Sequence, residues 1–210
     1  MTSHIRNTGI KKIIKFFEDK GYDFSDKSYI DLFAREGDWQ TNTLAKKVNF
    51  THAIEVNLDF KNSLIKNLPI NSKITICDSI KHVEDVAGKY DIIVLDNPMG
   101  CFGDNNQYCE HFEIFEKVFQ IMNSKSLIIF NVKTIPFNFK NNKVWQEKRN
   151  AFYNVNDSSS LSIPFLKKFY ENKIKLKNKQ ILFDILVERL QEENLYQMAF
   201  LIKDCKNENN

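Results

Sequence analysis

The stretch Ser28-Tyr29-Ile30-Asp31-Leu32-Phe33-Ala34-Arg35-Glu36-Gly37-Asp38-Trp39 sets the reading of the whole chain. Tyr29–Ala34 is short and apolar except for Asp31, the pattern of a parallel strand covered on both faces. It runs into the turn Arg35-Glu36-Gly37-Asp38, and Trp39–Lys47 follows as a helix. Before it, Ile10, Ile13, Ile14, Phe16 and Phe17 recur at helical spacing, with Gly21 as the stop. A helix, a buried strand, a turn and a second helix therefore open the chain.

The same alternation continues. His52–Val56 reads as a strand, Leu58–Leu68 as a helix closed by Pro69, and Lys73–Cys77 and Tyr90–Leu95 as strands. Tyr108–Met122 carries Phe112, Phe115, Val118, Phe119 and Met122 at helical spacing, and Leu127–Val132 is a fifth strand. Strands alternating with helices imply a parallel sheet with right-handed crossovers, an α/β fold. Ile181–Leu190 and Tyr196–Lys203 are two further apolar runs separated by Gln191-Glu192-Glu193-Asn194, read as an antiparallel pair closing the sheet. The first run also suits a helix, through Leu182, Ile185, Leu186 and Arg189.

Between these parts, residues 133–162 lose periodicity, which predicts a lid or insert with Asp157-Ser158-Ser159-Ser160 as its exposed end. A helix over Pro164–Asn172, with Ser162 as its N-cap, returns the chain to the sheet. No linker divides residues 1–206, which read as one domain, and residues 207–210 read as a disordered tail.

The 210 residues carry a net charge of +3, with 42% hydrophobic and 27% charged residues, enough to bury one sizeable core. That mild basicity permits a nucleic-acid partner without being the footprint of a dedicated binder. The four cysteines, Cys77, Cys101, Cys109 and Cys205, are too sparse for a disulfide scaffold, and neither a cleavable signal nor a membrane-spanning run is present, so the cytoplasm is the expected compartment. Cys101, Cys109 and His111 are close in sequence, but their spacing matches no paired-ligand pattern and no metal is expected.

In an open parallel sheet the ligand lies beyond the carboxyl ends of the strands. There Asp31 and the turn Ala34–Asp38 go with the first strand, Glu55 ends the second, Asp78 follows the third, and Asp96-Asn97-Pro98 the fourth. An ionised carboxylate offers acceptors alone, so Glu55 suits the two hydroxyls of a ribose and Asp78 an exocyclic adenine amine. His111, just beyond in Cys109-Glu110-His111-Phe112-Glu113, has the chemistry of a general base, or of a cap or solvent-facing side chain.

Acids after strands one to three, a Pro-containing motif after strand four and a terminal hairpin together resemble the class I S-adenosylmethionine (SAM)-dependent methyltransferases. The resemblance implies a three-layer Rossmann-like sandwich with a mostly parallel seven-stranded sheet and a C-terminal antiparallel hairpin. It implies SAM as cofactor, with Asp31, Phe33, Ala34 and Gly37 facing the methionine moiety, Glu55 the ribose and Asp78 the adenine. Phe33 and Arg35 stand where the family usually has glycine. Asp96-Asn97-Pro98-Met99-Gly100 is similar to the D/N-P-P-Y/F box of amino-group methyltransferases, which implies that Asp96, Asn97 and Pro98 place the acceptor; Met99 and Gly100 replace its second proline and ring. Asp31-Leu32-Phe33-Ala34-Arg35-Glu36-Gly37-Asp38-Trp39 also resembles the first loop of FtsJ-like ribose methyltransferases, in which Lys12, Asp96, Lys133 and Glu193 would supply the Lys-Asp-Lys-Glu set. The insert, with Trp145, Arg149, Phe152 and Tyr153, is expected to cover the acceptor, whether nucleic acid, nucleotide or small molecule.

Two other classes share the sheet. A binding protein that has lost the chemistry agrees with the glycine-poor first loop. A nucleotide-binding oxidoreductase would carry G-x-G-x-x-G, which this chain lacks.

Overall fold

The computed structural model describes residues 8–85, 88–137, 139–190 and 194–205. Among the described residues nine strands form, β1 Ser28–Asp31, β2 Phe50–Glu55, β3 Lys73–Ile76, β4 Tyr90–Leu95, β5 Cys101–Phe102, β6 Tyr108–Cys109, β7 Met122–Lys133, β8 Lys179–Leu190 and β9 Leu195–Asp204, and seven of them build one sheet in the order β3-β2-β1-β4-β7-β9-β8. The pairs from β3 to β7 are parallel; β9 runs antiparallel between β7 and β8. The chain order reverses at β1, where β2 lies on one side and β4 on the other, so a crevice opens beyond the strand ends at that point.

The helices are α1 Thr8–Asp19, α2 Gln40–Ala45, α3 Lys61–Asn67, α4 Ser79–Asp85, α5 Phe112–Phe115, α6 Lys143–Tyr153 and α7 Ile163–Leu176. Successive strand residues feed opposite faces of the sheet. Ile92, Val94, Leu127, Ile129, Ala199 and Leu201 pack under Ile10, Ile13, Ile14 and Phe17 of α1. Ile93, Leu95, Ile128, Phe130, Met198 and Phe200 pack against Val83 of α4, Trp145 of α6 and Tyr170 of α7. Both faces being covered explains why the central strands read as near-continuous apolar runs. It also explains β8: Ile181 and Leu186 join one core, Leu182, Ile185 and Val187 the other, and register shifts at Ile181/Phe183 and Glu188/Leu190 add to the irregular period. The helical spacing in that run is the trace of a two-faced, bulged strand.

Three expectations are corrected. Tyr108–Met122 is not one helix: Tyr108 and Cys109 pair with Phe102 and Cys101 in a small antiparallel hairpin, Glu110 takes a φ of 49°, and only then do α5 and a 3-10 turn over Lys117–Ile121 follow. The insert is not an aperiodic lid, because α6 forms within it, N-capped by Asn142, whose side chain accepts the Trp145 amide at 3.0 Å. Its Trp145, Arg149 and Tyr153 are buried; of the expected exposed end, Asp157 and Ser160 are exposed and Ser158 is buried. Ser158 donates its amide (2.9 Å) and its hydroxyl (2.6 Å) to Asn150 Oδ1, and its carbonyl accepts Arg149 Nε at 3.2 Å. Glu193 and residues 207–210 lie outside the described residues.

Candidate active site

The crevice beyond the ends of β1 to β4 is a cavity of about 740 Å³, the size of a small-molecule or cofactor site. Its wall includes Phe33, Glu55, Asp78, Asp96, Asn97 and Pro98, so five strand-end positions expected from sequence meet in one place, together with Phe33 of the first loop.

The first loop achieves its bend with one glycine. Leu32 donates its amide to Val94 O of β4 and Ala34 to Ile54 O of β2, both at 3.0 Å, which seats the loop across the two neighbouring strands. Arg35 adopts a φ of 50°, the left-handed region in which glycine is usual. Two contacts hold it there: its amide donates to Glu55 Oε2 at 2.7 Å, and its guanidinium lies 4.5 Å from the Trp39 ring centroid. Gly37 has φ 71°, and a Cβ there would sit 3.0 Å from Leu64 Cδ2 of α3. The glycine is required by close packing on a helix.

Asp31, Ala34 and Gly37 do not form the cavity wall. Asp31 is wholly buried, accepting Tyr29 Oη (2.7 Å), Thr41 Oγ1 (2.8 Å) and the Phe33 amide (3.1 Å). Burial, and then the charge of Asp96, push its carboxyl up to about 7. These three residues shape the loop from behind.

Glu55, 7% exposed at the end of β2, accepts the Arg35 amide on one oxygen and the Asn57 amide on the other at 2.8 Å. Each oxygen keeps a lone pair for a ligand hydroxyl. Asp78 accepts the Ile80 amide on Oδ1 (2.9 Å) and Tyr108 Oη on Oδ2 (3.0 Å). Between the two acids lie Val56, 70% exposed, and Ile80, apolar surfaces facing the same cavity.

At the other end, Asp96 is tied to Arg189 of β8, whose Nη1 bonds Oδ1 and whose Nη2 donates to Oδ2 at 3.2 Å. Asn131 of β7 joins the pair, donating Nδ2 to Asp96 Oδ1 at 2.7 Å and accepting Arg189 Nη1 at 2.9 Å. Asn97 is 2% exposed, its Oδ1 accepting the Asn131 amide at 3.2 Å. Arg189 and Asn131 were not singled out from sequence for this site. Asn131 carried a signal, as the one polar residue of the apolar run Leu127–Val132, since a buried polar side chain seldom goes unpaired; Arg189, beside Glu188 in a run that also holds Asp184, carried none.

The remaining expected groups lie elsewhere. His111 sits in an aromatic cluster with Phe115, Phe130 and Tyr170, its Nε2 2.6 Å from Tyr170 Oη, and burial, with Arg149 adding, pushes it down to about 3. A ring held neutral and away from the cavity is no general base. Lys12 is exposed on α1; Lys133 is buried at the end of β7, where its carbonyl accepts Arg149 Nη2 at 2.5 Å. Neither forms the cavity wall. Cys101 and Cys109, weighed above as metal ligands, are joined as a disulfide, and among the described residues no group of His, Cys, Asp or Glu is arranged to hold a metal. No described helix is long and apolar enough to cross a membrane.

Solved structures share the fold over most of the chain. Trm5b from Pyrococcus abyssi aligns at a TM-score of 0.53 and 15% identity, covering 92% of this chain and 48% of that one. The M. jannaschii tRNA m1G37 methyltransferase aligns at 0.53 and 16%, covering 94% and 49%. M. jannaschii TYW2, in complex with AdoMet, aligns at 0.51 and 13%, covering 91% and 76%. The chain has the class I SAM-dependent methyltransferase fold. It spans about half the length of Trm5b and of the tRNA m1G37 methyltransferase. No protein-family profile matches it, and no curated protein does. Within the methyltransferase fold, β9 between β7 and β8 is the antiparallel closure, and Arg189 is brought to the strand-four motif by that closure.

Proposed function

We propose that this protein binds SAM and transfers its methyl group to a nucleic-acid acceptor. The reading rests on one observation: Glu55 and Asp78, at the ends of adjacent parallel strands, line a single cavity together with Asp96, Asn97 and Pro98. Glu55 suits the cofactor's ribose because both of its oxygens are already oriented by backbone amides and each keeps a lone pair. Asp78 takes the adenine amine, and Val56 and Ile80 offer apolar cover to its ring. Phe33 borders the methionine end, with Asp31, Ala34 and Gly37 holding the loop in shape.

When bound, SAM supplies a methyl carbon activated by its sulfonium. What remains for the chain is alignment and exclusion of water. Arg189 and Asn131 fix the Asp96 carboxylate, and this anchors the backbone from which Asn97 and Pro98 place the acceptor. A neutralised Asp96 leaves a corner suited to a planar amine or base. An RNA acceptor draws support from the tRNA methyltransferase among the similar folds.

Calorimetric titration with SAM, S-adenosylhomocysteine and NAD tests the reading, repeated on Glu55→Ala. Binding of the first two alone, weaker by about 1–3 kcal/mol in the variant, is expected from lost charge-assisted hydrogen bonds. Absence of SAM and S-adenosylhomocysteine binding would overturn it.

A further inference from the structure

The hairpin of β5 and β6 stands apart from the main sheet and forms one wall of the cavity through Phe102, Gly103, Asp104, Gln107 and Tyr108. Its strands are two residues each, paired Cys101 with Cys109 and Phe102 with Tyr108. A hairpin that short does not hold itself together in water. Its turn adds a conformational cost, since Asn105 and Asn106 have φ of 55° and 56°. The Cys101–Cys109 disulfide crosses the hairpin at its base. Beyond that cross-link the hairpin reaches the cofactor side through Tyr108 Oη, which donates to Asp78 Oδ2 at 3.0 Å, and Phe102, whose ring stands edge-on to Phe33 at 6.0 Å. Both partners, Asp78 and Phe33, are residues assigned above to the cofactor. Cys109 is fully buried and Cys101 only partly, so Cys101 is the more accessible residue of the pair.

We propose that Cys101 and Cys109 form a thiol–disulfide latch that sets the affinity of the cofactor cavity. The inference rests on the SAM-binding reading above. Oxidised, the hairpin is a fixed wall that presents Tyr108 to Asp78; reduced, it opens part of the time and that wall is lost. Opening proceeds when the thiolate of a small thiol attacks Sγ of Cys101. The S–S bond breaks, Cys109 departs as a thiolate and takes a proton, and a second thiol displaces Cys101 from the mixed disulfide. The balance is two small thiols oxidised to one disulfide and two cysteines reduced. Closure is the reverse, with a low-molecular-weight disulfide as oxidant.

S-adenosylhomocysteine affinity is measured by calorimetry on protein equilibrated with oxidised glutathione and on protein treated with a phosphine reductant, with thiols mapped by alkylation and mass spectrometry. Cys205, exposed and free, reports labelling efficiency. The expected result is protection of Cys101 and Cys109 in the oxidised sample and a Kd about three- to tenfold higher after reduction, the loss that follows when only a fraction of molecules is competent to bind. Cys101→Ser is expected to show the weaker affinity under both conditions. Equal affinity in the two wild-type states overturns the latch and leaves the cofactor reading standing. Full alkylation of both cysteines after glutathione treatment also overturns it. Binding in neither state removes the cofactor reading and the latch with it.

Discussion

At the scale of single residues, the first loop shows how a sequence with a single glycine turns through a left-handed position at Arg35. Arg35 accepts a left-handed backbone because Glu55 takes its amide and Trp39 its guanidinium face. Gly37 has no such substitute. Gly37→Ala is expected to cost about 1–2 kcal/mol, from a strained φ together with a Cβ pressed on Leu64 and Leu68, measured as a shift in the urea midpoint. An unchanged midpoint would mean that α3 moves freely. The acids of the cavity were legible in the sequence because each ends a strand, and strand ends are where ligands bind. That rule does not separate an acid turned to the cavity from one turned inward. Asp31 faces Tyr29 and Thr41, a choice set by side-chain packing that no spacing encodes.

At the scale of elements, the segment between β7 and α7 is the part least legible in the sequence. Its polar composition predicts a lid, yet α6 is pinned to the core by Arg149, which reaches Glu110, Lys133 O and Ser158 O, all with no exposure of the ion pair to solvent. Glu110 also accepts Trp145 Nε1 at 2.9 Å. One buried arginine thus ties the insert, the end of β7 and the base of the β5–β6 hairpin together. Periodicity cannot register a pairing of residues 39 positions apart. Arg149→Met is expected to destabilise the protein by about 3–5 kcal/mol, because Glu110 would remain buried without its counter-charge. Adding Glu110→Gln is expected to recover more than half of that loss, by urea denaturation of the single and double variants. No recovery would show that the cost lies in lost packing and not in the stranded charge. The terminal hairpin, by contrast, was readable as a pair of apolar runs, and its one ambiguity, helix or strand in β8, came from burial on both faces.

At the scale of the whole molecule, three buried titratable groups set how stability depends on pH. His52, between Tyr90 Oη and Thr75 Oγ1, is pushed down to about 4 by burial, with Lys73 and His82 adding, and His111 is pushed down to about 3. Both rings are neutral in the folded state, so their contribution is complete above the unfolded value of about 6.5 and is lost as pH falls below it. Asp31 works in the opposite sense. Its carboxyl, raised to about 7, holds a proton that the unfolded chain releases near pH 4, so its contribution falls as pH rises across that window. At about pH 5 to 6 these three groups hold about two protons in the unfolded chain and about one in the folded chain, so stability is expected to rise by about 1.4 kcal/mol per pH unit. Asp31→Asn is expected to roughly double that slope in urea titrations at the two pH values. Equal slopes in variant and wild type would show that Asp31 is ionised throughout.

The place of β9 between β7 and β8 also matters while the chain is being made. As it leaves the ribosome, β8 emerges before the strand that seats it, so Arg189 has no route to Asp96 until β9 has followed and β7 has gained its neighbour. A nascent chain that ends short of β9 carries the strand-four motif without the guanidinium that pairs its carboxylate, and the edge of β7 open to any passing strand. Completion of the Asp96–Arg189 pair and protection of that edge are therefore one event, which waits on β9.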